Sequence, residues 1–374
     1  MILFFQNKHL TGMQSAKSYK KSIYFIVPAP LGISPGQRFR FENYLPLLQE
    51  NNLHYHISSF YTLKSWTALY TQGNNLNKAL SVMKGFIIRW SDLVRLRKFD
   101  YVYVYREAAP IGPPFFEWFI AKVLGKKIIY DFDDAIWIPV SSKYNKMVYL
   151  LRNFAKVSKI CRWSYIVSVG NQFLASFATK NAKSVVIIPT VVNTTNVHNK
   201  LQQHEDVRTA VGWTGTFSTL KYLDLVLPVL IELQKTHDFT FIVIADKDPK
   251  LPLKNYRFIK WQPESETDDL LNFHIGLMPL EDDDISRGKC GFKAIQYMSL
   301  GIPAIVSPVG VNATIVDHGA NGFVSSSGKE WEESLITLLN DAHLRKIMGL
   351  AARKKIEDHY SVRATAKSFT DLFS

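Results

Sequence analysis

The sequence predicts an α/β protein made of two Rossmann-like domains that face a central cleft. Three observations carry that expectation. Short apolar runs that read as buried parallel strands alternate with helix-length amphipathic segments along most of the chain. A polar stretch without periodicity, NTTNVHNKLQQHED (193–206), interrupts the alternation, and the same pattern restarts after it. The 374 residues, 47% of them hydrophobic, suffice for two domains that each bury a core. The expected domains are therefore 1–195 and 196–374, with the last helix able to pack back on the first.

The elements follow in order. KSIYFIVPAP (21–30) reads as a buried parallel strand, and the Gly/Pro loop after it leads into a helix with Phe41, Leu45 and Leu48 on one face. DYVYVYREAAP, KKIIYDFDDAIW, YIVSVG and SVVIIPTVV read as the next four strands. In the second half, RTAVGWTG, DFTFIVIAD, NFHIGLMPL, PAIVSP and GFVSSS read as strands. TLKYLDLVLPVLIELQKTH reads as a helix between the first two of these, and KEWEESLITLLNDAHLRKIMGLAARKKIEDHY closes the pattern as helices. No repeat recurs at a period of 20–50 residues, which argues against a solenoid.

Charge is uneven. Residues 1–195 hold 25 Lys and Arg against 9 Asp and Glu, a net of +16, whereas residues 196–374 hold 20 against 23, a net of −3. Such asymmetry points the first domain toward a polyanion or an anionic membrane. No concentrated basic run with interleaved aromatics appears, so a nucleic-acid binder is not expected. Cys161 and Cys290 are too few for a disulfide framework, which suggests a reducing compartment. The start of the chain lacks the charged-then-apolar order of a signal peptide, and no run reaches the length of a membrane span. The expectation is a cytoplasmic protein, peripheral on the inner face of the membrane.

Two helices could supply that contact. In LNKALSVMKGFIIRWSDLV, Leu76, Leu80, Met83, Ile87, Trp90 and Val94 form an unbroken apolar stripe, with Lys78, Lys84, Arg89 and Arg95 off it. In KMVYLLRNFAKVSKICRW, Lys146, Arg152, Lys156, Lys159 and Arg162 accompany Leu150, Phe154 and Val157. Both stripes are expected to pack on the sheet, leaving the basic flanks to face lipid headgroups.

The chemistry concentrates in RGKCGFKAIQYMSLGIPAIVSP (287–308). With Gly291–Leu300 as a helix, Lys289, Lys293 and Gln296 are spaced i, i+4, i+7 and share one face. Gly288 and Gly291 flank the entry, where bare backbone can approach a ligand. A helix N-terminus joined by two lysines is a phosphate site, here at the carboxyl edge of a parallel sheet. A solvated helix face beside a turn is the plainer alternative. In the first half, YDFDDAIW ends a strand with Asp131, Asp133 and Asp134, an acidic group able to orient a hydroxyl or take its proton, or simply to cap a turn. Arg38 and Arg40 follow the first strand, and Arg106 and Glu107 follow another; both pairs are placed to line the cleft. Arg38 suits an acceptor phosphate, whereas Arg106 has a structural alternative in a pair with the Glu107 neighbourhood or Asp134. His274 and the other histidines show no ligand spacing, so no metal is assigned.

HIGLMPL followed by RGKCGFKAIQYMSLGIPAIVSPVGVNATIVDHGANGF resembles the donor-sugar region of retaining GT-B glycosyltransferases that build bacterial surface polysaccharides (glycosyl transferases group 1, family 4). RFRFENYLPLLQE, YVYREAAPIGPPFFEW, YDFDDAIW, IIPTVVN and VGWTGTFSTLKYLDLV resemble the same family in its order. The resemblance implies a nucleotide-diphospho-sugar donor held mainly by the second domain and a glycan or lipid-linked acceptor entering from the first. It implies no cofactor and no metal, because basic side chains and a helix N-terminus take the diphosphate charge. Arg287, Lys289 and Lys293 match that role, with Cys290 and Gly291 beside them. Asp133, Asp134, Lys293 and Gln296 are the expected catalytic positions.

Two departures stand out. Where many relatives carry two glutamates eight residues apart, this chain has Gly288 and Gln296. Where many carry an arginine and a lysine after the first strand of the second domain, it has Thr214, Gly215 and Thr216, with Lys221 further on. A backbone-and-hydroxyl cradle or Lys221 would serve there. A metal-binding D-x-D reading of Asp131 and Asp133 belongs to the other, single-domain glycosyltransferase fold. Alternatives on the same scaffold are a nucleotide-sugar epimerase and a non-catalytic sugar-nucleotide-binding partner subunit.

Overall fold

The computed structural model describes residues 20–70, 73, 75–139, 153–205 and 208–374. Strands β1 (Lys21–Val27), β2 (Leu53–Ser59), β3 (Tyr101–Tyr105), β4 (Lys127–Phe132), β5 (Ile166–Val169) and β6 (Val185–Ile187) form one sheet in the order β2-β1-β3-β4-β5-β6. Strands β7 (Ala210–Gly215), β8 (Thr240–Ala245), β9 (Tyr256–Lys260), β10 (Ile275–Met278), β11 (Ala304–Val306) and β12 (Gly322–Val324) form a second, in the order β12-β11-β10-β7-β8-β9. Every pairing is parallel, so all carboxyl ends of a sheet lie along one edge. Apolar clusters cover both faces of each sheet, which is why the central strands are buried runs such as YVYVY.

Strands β2 and β9 are absent from the sequence reading. Both are edge strands, and their patterns of burial are broken, with exposed positions inside LHYHISS and YRFIK. A strand covered on fewer sides carries less apolar signal.

Strand order reverses between β1 and β3 in the first sheet and between β7 and β10 in the second. Parallel sheets open a crevice at such points, outside the carboxyl ends. The segments after β1, β3 and β4 and those after β7 and β10 are thereby the ones placed to meet a ligand.

The chain crosses between domains twice, side by side. Val192 and Ser361 form a parallel bridge, with Val192 N–H donating to Tyr360 O (3.0 Å) and Val362 N–H to Val192 O (3.1 Å). Helix Val362–Thr370 then packs on the first domain. Phe369 stacks on Tyr44 at 4.0 Å, and Tyr101 Oη donates to the Ser374 carbonyl at 2.7 Å. Phe369, Leu372 and Phe373 share a core with Ile23, Phe25 and Tyr103.

The apolar stripe at Leu76–Val94 does not pack on the sheet. Helix Asn75–Arg95 buries Ser81, Gly85, Arg89, Asp92 and Leu93 instead, and all six stripe residues are exposed. The inward seam is held by a buried pair, Arg89 Nη1 to Asp92 at 2.8 Å, with Arg89 also donating to the carbonyls of Val27 and Ala108 (both 2.7 Å). In the second basic segment, Lys146, Leu150 and Arg152 lie outside the described residues. Helix Lys156–Trp163 buries Val157 as expected and also Lys156, while Lys159 and Arg162 are exposed.

Candidate active site

The two carboxyl edges meet at a cavity of about 180 Å³. The first domain lines it with Pro35, Gly36, Phe39, Arg106, Asp133, Asp134 and Thr190; the second contributes Met278, Lys289, Cys290, Phe292 and Lys293. Phe39 meets Phe292 across the boundary, ring centroids 4.2 Å apart.

On the second domain the helix runs Phe292–Ser299, with Gly291 as its N-cap. Gly291 has φ +68°, the left-handed region that glycine enters without steric cost, and a Cβ there would lie 2.0 Å from Ile315 Cδ1. The helix therefore starts one residue later than the spacing suggests, and Lys289 sits on the entry loop instead of the helix face. Lys289 and Lys293 nonetheless line the same cavity. Among the described residues neither forms an ion pair; each ammonium lies over an aromatic ring, Lys289 over Tyr222 (5.8 Å) and Lys293 over Trp213 (5.6 Å). Burial, and then the adjacent Lys289 charge, pull the Lys293 pKa down to about 7, against an opposing pull from Asp134. The site is thus two lysines at a helix N-terminus, neither ion-paired among the described residues and with Asp134 of the other domain as the carboxylate acting on them, an arrangement able to take a phosphate or diphosphate.

On the first domain, Arg106 leaves β3 with φ +59°, an uncommon conformation for a residue with a side chain. Its N–H donates to Asp131 O (2.7 Å) and its carbonyl accepts from Tyr130 Oη (2.8 Å), so the turn is held from both sides. The guanidinium bridges Asp133 Oδ1 and Asp134 Oδ2, both at 2.7 Å, and Tyr105 Oη donates to Asp133 at 2.8 Å. The two carboxylates differ. Burial works against the Asp133 anion, but Arg106 and Arg40 outweigh it and hold its pKa below the ordinary carboxylate value. Burial dominates for Asp134, which with the neighbouring Asp133 charge is pushed upward in spite of Arg106. Asp133 is thus the more firmly ionised of the two, while Asp134, partly exposed and bound by the same guanidinium, is the more easily protonated.

The loop that carries the lysines is clasped by the first domain. Asn171 caps the helix Gln172–Ala178 with its Oδ1 and donates its Nδ2 to the carbonyls of Gly288 (3.2 Å) and Lys289 (2.9 Å), with Arg287 O at 3.4 Å. The Cys290 thiol donates to Asp133 O at 3.1 Å, and burial pushes its pKa far up, so it is a neutral donor. Gly288 faces Ala135: a Cβ there would lie 2.7 Å from Ala135 Cβ and 3.0 Å from its backbone nitrogen. A side chain at 288 would therefore require Ala135 or the loop itself to shift.

Other expected positions lie elsewhere. Arg40 is buried in the first domain, where it donates to both oxygens of Asp131 (2.5 and 3.1 Å) and to the Ile188 carbonyl; it is a core strut and does not line the cleft. Glu107 turns away to Lys156 (2.7 Å) and not toward Arg106. Arg38 ties the domains together through Glu266 (2.8 Å), which also accepts from Trp261 Nε1. Gln296 is buried and outside the cavity lining, its Nε2 without a partner. The Arg287 guanidinium is taken by Asp282 (2.7 Å) and Asp284 (3.2 Å), and Arg287 is not among the residues lining the cavity.

Thr214, Gly215 and Thr216 occupy the carboxyl end of β7. Thr214 N–H donates to Tyr297 Oη (2.9 Å), and Thr216 caps the 3-10 helix Phe217–Leu225 in a reciprocal capping box with Thr219. Lys221 pairs on the rim with Glu281 (3.3 Å) and lies over Tyr222, the ring that also faces Lys289. Asn171, Thr190 and Tyr105 are additions that sequence reading missed. Asn171 is legible only as a helix N-cap after a strand, and Thr190 Oγ1 is buried, unpartnered and against the cavity. Among the described residues no group of three or more His, Cys, Asp or Glu is arranged to hold a metal ion.

Residues 208–341 match the family model described as Glycosyl transferases group 1. No curated protein matches the chain. Among solved structures, it is similar to a sucrose-phosphate synthase from Thermosynechococcus elongatus, at 12% identity and a TM-score of 0.71 over 95% of this chain and 98% of that one. It is also similar to HepE of Anabaena, solved with UDP and glucose, at 12% identity and a TM-score of 0.61 over 94% and 99%. A third is WaaG, titled a glycosyltransferase involved in lipopolysaccharide biosynthesis, at 12% identity and a TM-score of 0.59 over 93% and 99%. The second domain thus carries a glycosyl transferases group 1 region, and the chain as a whole has the GT-B fold.

Proposed function

We propose that this chain transfers a sugar from a nucleotide-diphospho-sugar to a glycan or lipid-linked acceptor in cell-envelope or surface-polysaccharide synthesis, with retention at the anomeric carbon and without a metal ion. One observation carries the reading: two lysines at a helix N-terminus of one sheet, without an ion pair among the described residues, face the Arg106–Asp133–Asp134 cluster of the other across a single cavity. The family match over 208–341 supports the donor side, and the HepE complexes with UDP-glucose make a UDP-sugar the first donor to try.

The chemistry follows from charge. As the glycosidic bond breaks, negative charge grows on the departing nucleoside diphosphate. Lys289, Lys293 and the N–H groups at the start of the Phe292–Ser299 helix are already oriented toward that charge, which is the main catalytic term in such a site. The acceptor hydroxyl enters from the first domain, where Asp134 is the group placed to take its proton and Asp133, pinned by Arg106 and Tyr105, supplies a fixed anion beside a developing sugar cation. Arg40 holds Asp131 and Arg106 holds Asp133, so both carboxylates of the D-x-D reading already have a guanidinium partner in the place where that reading would need a metal. The proposed place of action is the cytoplasmic face of a membrane, the sugar nucleotide being a substrate and no separate cofactor being used.

A panel of UDP-, GDP- and dTDP-sugars scored by thermal shift tests the donor assignment; a ligand at 100 times its Kd stabilises by about 2.7 kcal/mol. Turnover that survives EDTA, with the product's anomeric configuration equal to the donor's by NMR, is the expected outcome. Loss of activity in EDTA would revive the metal reading. Gly288 and the buried Gln296, standing where relatives have carboxylates, favour one second reading: a partner subunit that binds donor and neither hydrolyses nor transfers it. Conversion of the donor without any acceptor would indicate an epimerase.

A further inference from the structure

The outer face of helix Asn75–Arg95 is inverted relative to an ordinary surface helix. The inward face of the helix already holds Val82, Phe86 and Leu93 against the core together with the Arg89–Asp92 pair, and yet Leu76, Leu80, Met83, Ile87, Trp90 and Val94 form a second apolar row that points to solvent, with exposures from 43% at Leu80 to 73% at Leu76. Single exposed apolar residues are common on any protein; a continuous row over about five turns is not. The row does not stop at the helix end. Trp90 meets Phe115 at 5.3 Å, Phe115 meets Trp118 at 6.0 Å, and both of these rings are more than a third exposed. Phe115 and Trp118 in turn line a groove with Pro113, Lys159, Arg162 and Trp163.

The charge on this face has one sign. Lys84, Arg95, Lys122, Lys159 and Arg162 are exposed around the apolar surface, and none forms an ion pair among the described residues. The carboxylates of the same elements are withdrawn: Asp92 is paired with Arg89 in the core, and Glu117 is buried, accepting from Ala108 N–H. No helix of the described residues is long and apolar enough to cross a membrane. An apolar row flanked by aromatics and by unpaired cations is complementary to one environment in particular, the boundary between anionic headgroups and acyl chains.

We propose that helix Asn75–Arg95 and the Phe115–Trp118 shelf insert into the interface of an anionic bilayer, with Lys159 and Arg162 meeting lipid phosphates. This goes further than attachment by charge. Apolar burial, which salt does not screen, holds the protein in the membrane, while the cations select the anionic leaflet. The proposal stands apart from the donor reading, since none of these residues lines the cavity between the domains.

The test is flotation of the full chain with vesicles of phosphatidylcholine alone and of phosphatidylcholine mixed with phosphatidylglycerol. The chain should float with the anionic vesicles, lose only part of its binding at about 1 M salt, and show a blue shift of tryptophan emission on binding. The M83S/I87S variant should float at least tenfold less while keeping its melting temperature and its thermal shift with donor. The K159A/R162A variant should bind anionic vesicles more weakly, by about fivefold for each charge removed. Complete release at about 1 M salt, or unchanged binding by M83S/I87S, would overturn insertion. So would flotation with neither vesicle, or a dimer in solution that M83S/I87S converts to monomer, which would make the face a self-association surface. Donor binding measured on the same preparations separates these outcomes from failure of the glycosyltransferase reading.

Discussion

Lys293→Met should make the unliganded protein more stable and the enzyme far worse. Lys293 titrates near 7 where an unperturbed lysine titrates at 10.5. Burial is the main cause and the Lys289 charge adds to it. The unfolded chain therefore binds more protons than the folded one between those two values, and stability rises with pH across the window. At pH 7 the native lysine costs the fold on the order of 2–4 kcal/mol; by pH 9 the cost falls to roughly half that. Methionine has a similar length and no charge, so the stability difference between the two proteins should be largest near pH 7 and shrink toward pH 10. Chemical denaturation at pH 7, 8 and 9 measures it. Turnover should fall in the opposite sense, by at least about 100-fold, because a charge aimed at the leaving diphosphate is gone. A nucleoside diphosphate that binds beside Lys293 should restore its proton, so wild-type affinity should weaken by up to about tenfold per pH unit above 7, and the methionine variant should lose that slope. Equal stability of the two proteins at all three pH values, or an unchanged slope in the variant, would refute the argument.

Three further outcomes probe the supports of the site. Arg40→Met leaves Asp131 as an uncompensated buried charge and should cost about 3–5 kcal/mol, with much of it recovered in the Arg40→Met/Asp131→Leu double variant; a cleft-lining role for Arg40 would instead spare stability and raise the acceptor KM. Asn171→Ala strips the hydrogen bonds from the Gly288 and Lys289 carbonyls and should lower stability by about 1–3 kcal/mol together with turnover, whereas Asn171→Asp keeps the helix cap and loses only the clasp, so it should lose turnover with a smaller drop in melting temperature. Gly288→Glu should lower both turnover and the melting temperature, because its Cβ meets Ala135; partial rescue by Ala135→Gly in the same chain would identify the side-chain part of that contact as the cause.

Much of the second domain's wall of the cavity was legible from local text. The strand β10, the entry loop and the helix Phe292–Ser299 lie within 25 residues, so the glycines and lysines that shape the loop are neighbours in sequence as well as in space. Apolar runs identified the buried strands because a parallel sheet covered on both faces leaves a continuous signal, and the same reasoning explains the silence of edge strands β2 and β9. Periodicity also found the stripe from Leu76 to Val94, and the sum of charge marked the first domain as the basic one.

Direction was what the sequence left undecided. A period of 3.6 defines a helix face but not whether that face meets a sheet or solvent, and in helix Asn75–Arg95 the opposite face meets the core through Val82, Phe86 and Leu93, with Arg89 and Asp92 satisfying each other inside. Arg38, Arg40, Arg106 and Glu107 all leave strand ends at the cleft edge, yet only Arg106 lines the cavity; the others are claimed by Glu266, Asp131 and Lys156 at sequence separations from 49 to 228 residues. Asn171 reaches a loop more than 100 residues away. Contacts of that range depend on how two independently readable domains come together, and Gly288 meets Ala135 of the other domain only when they do. The chain's local patterns determined two parallel sheets and a basic, glycine-marked loop before a helix; the closing of one domain on the other decided which charged side chains pair with each other and which line the cavity.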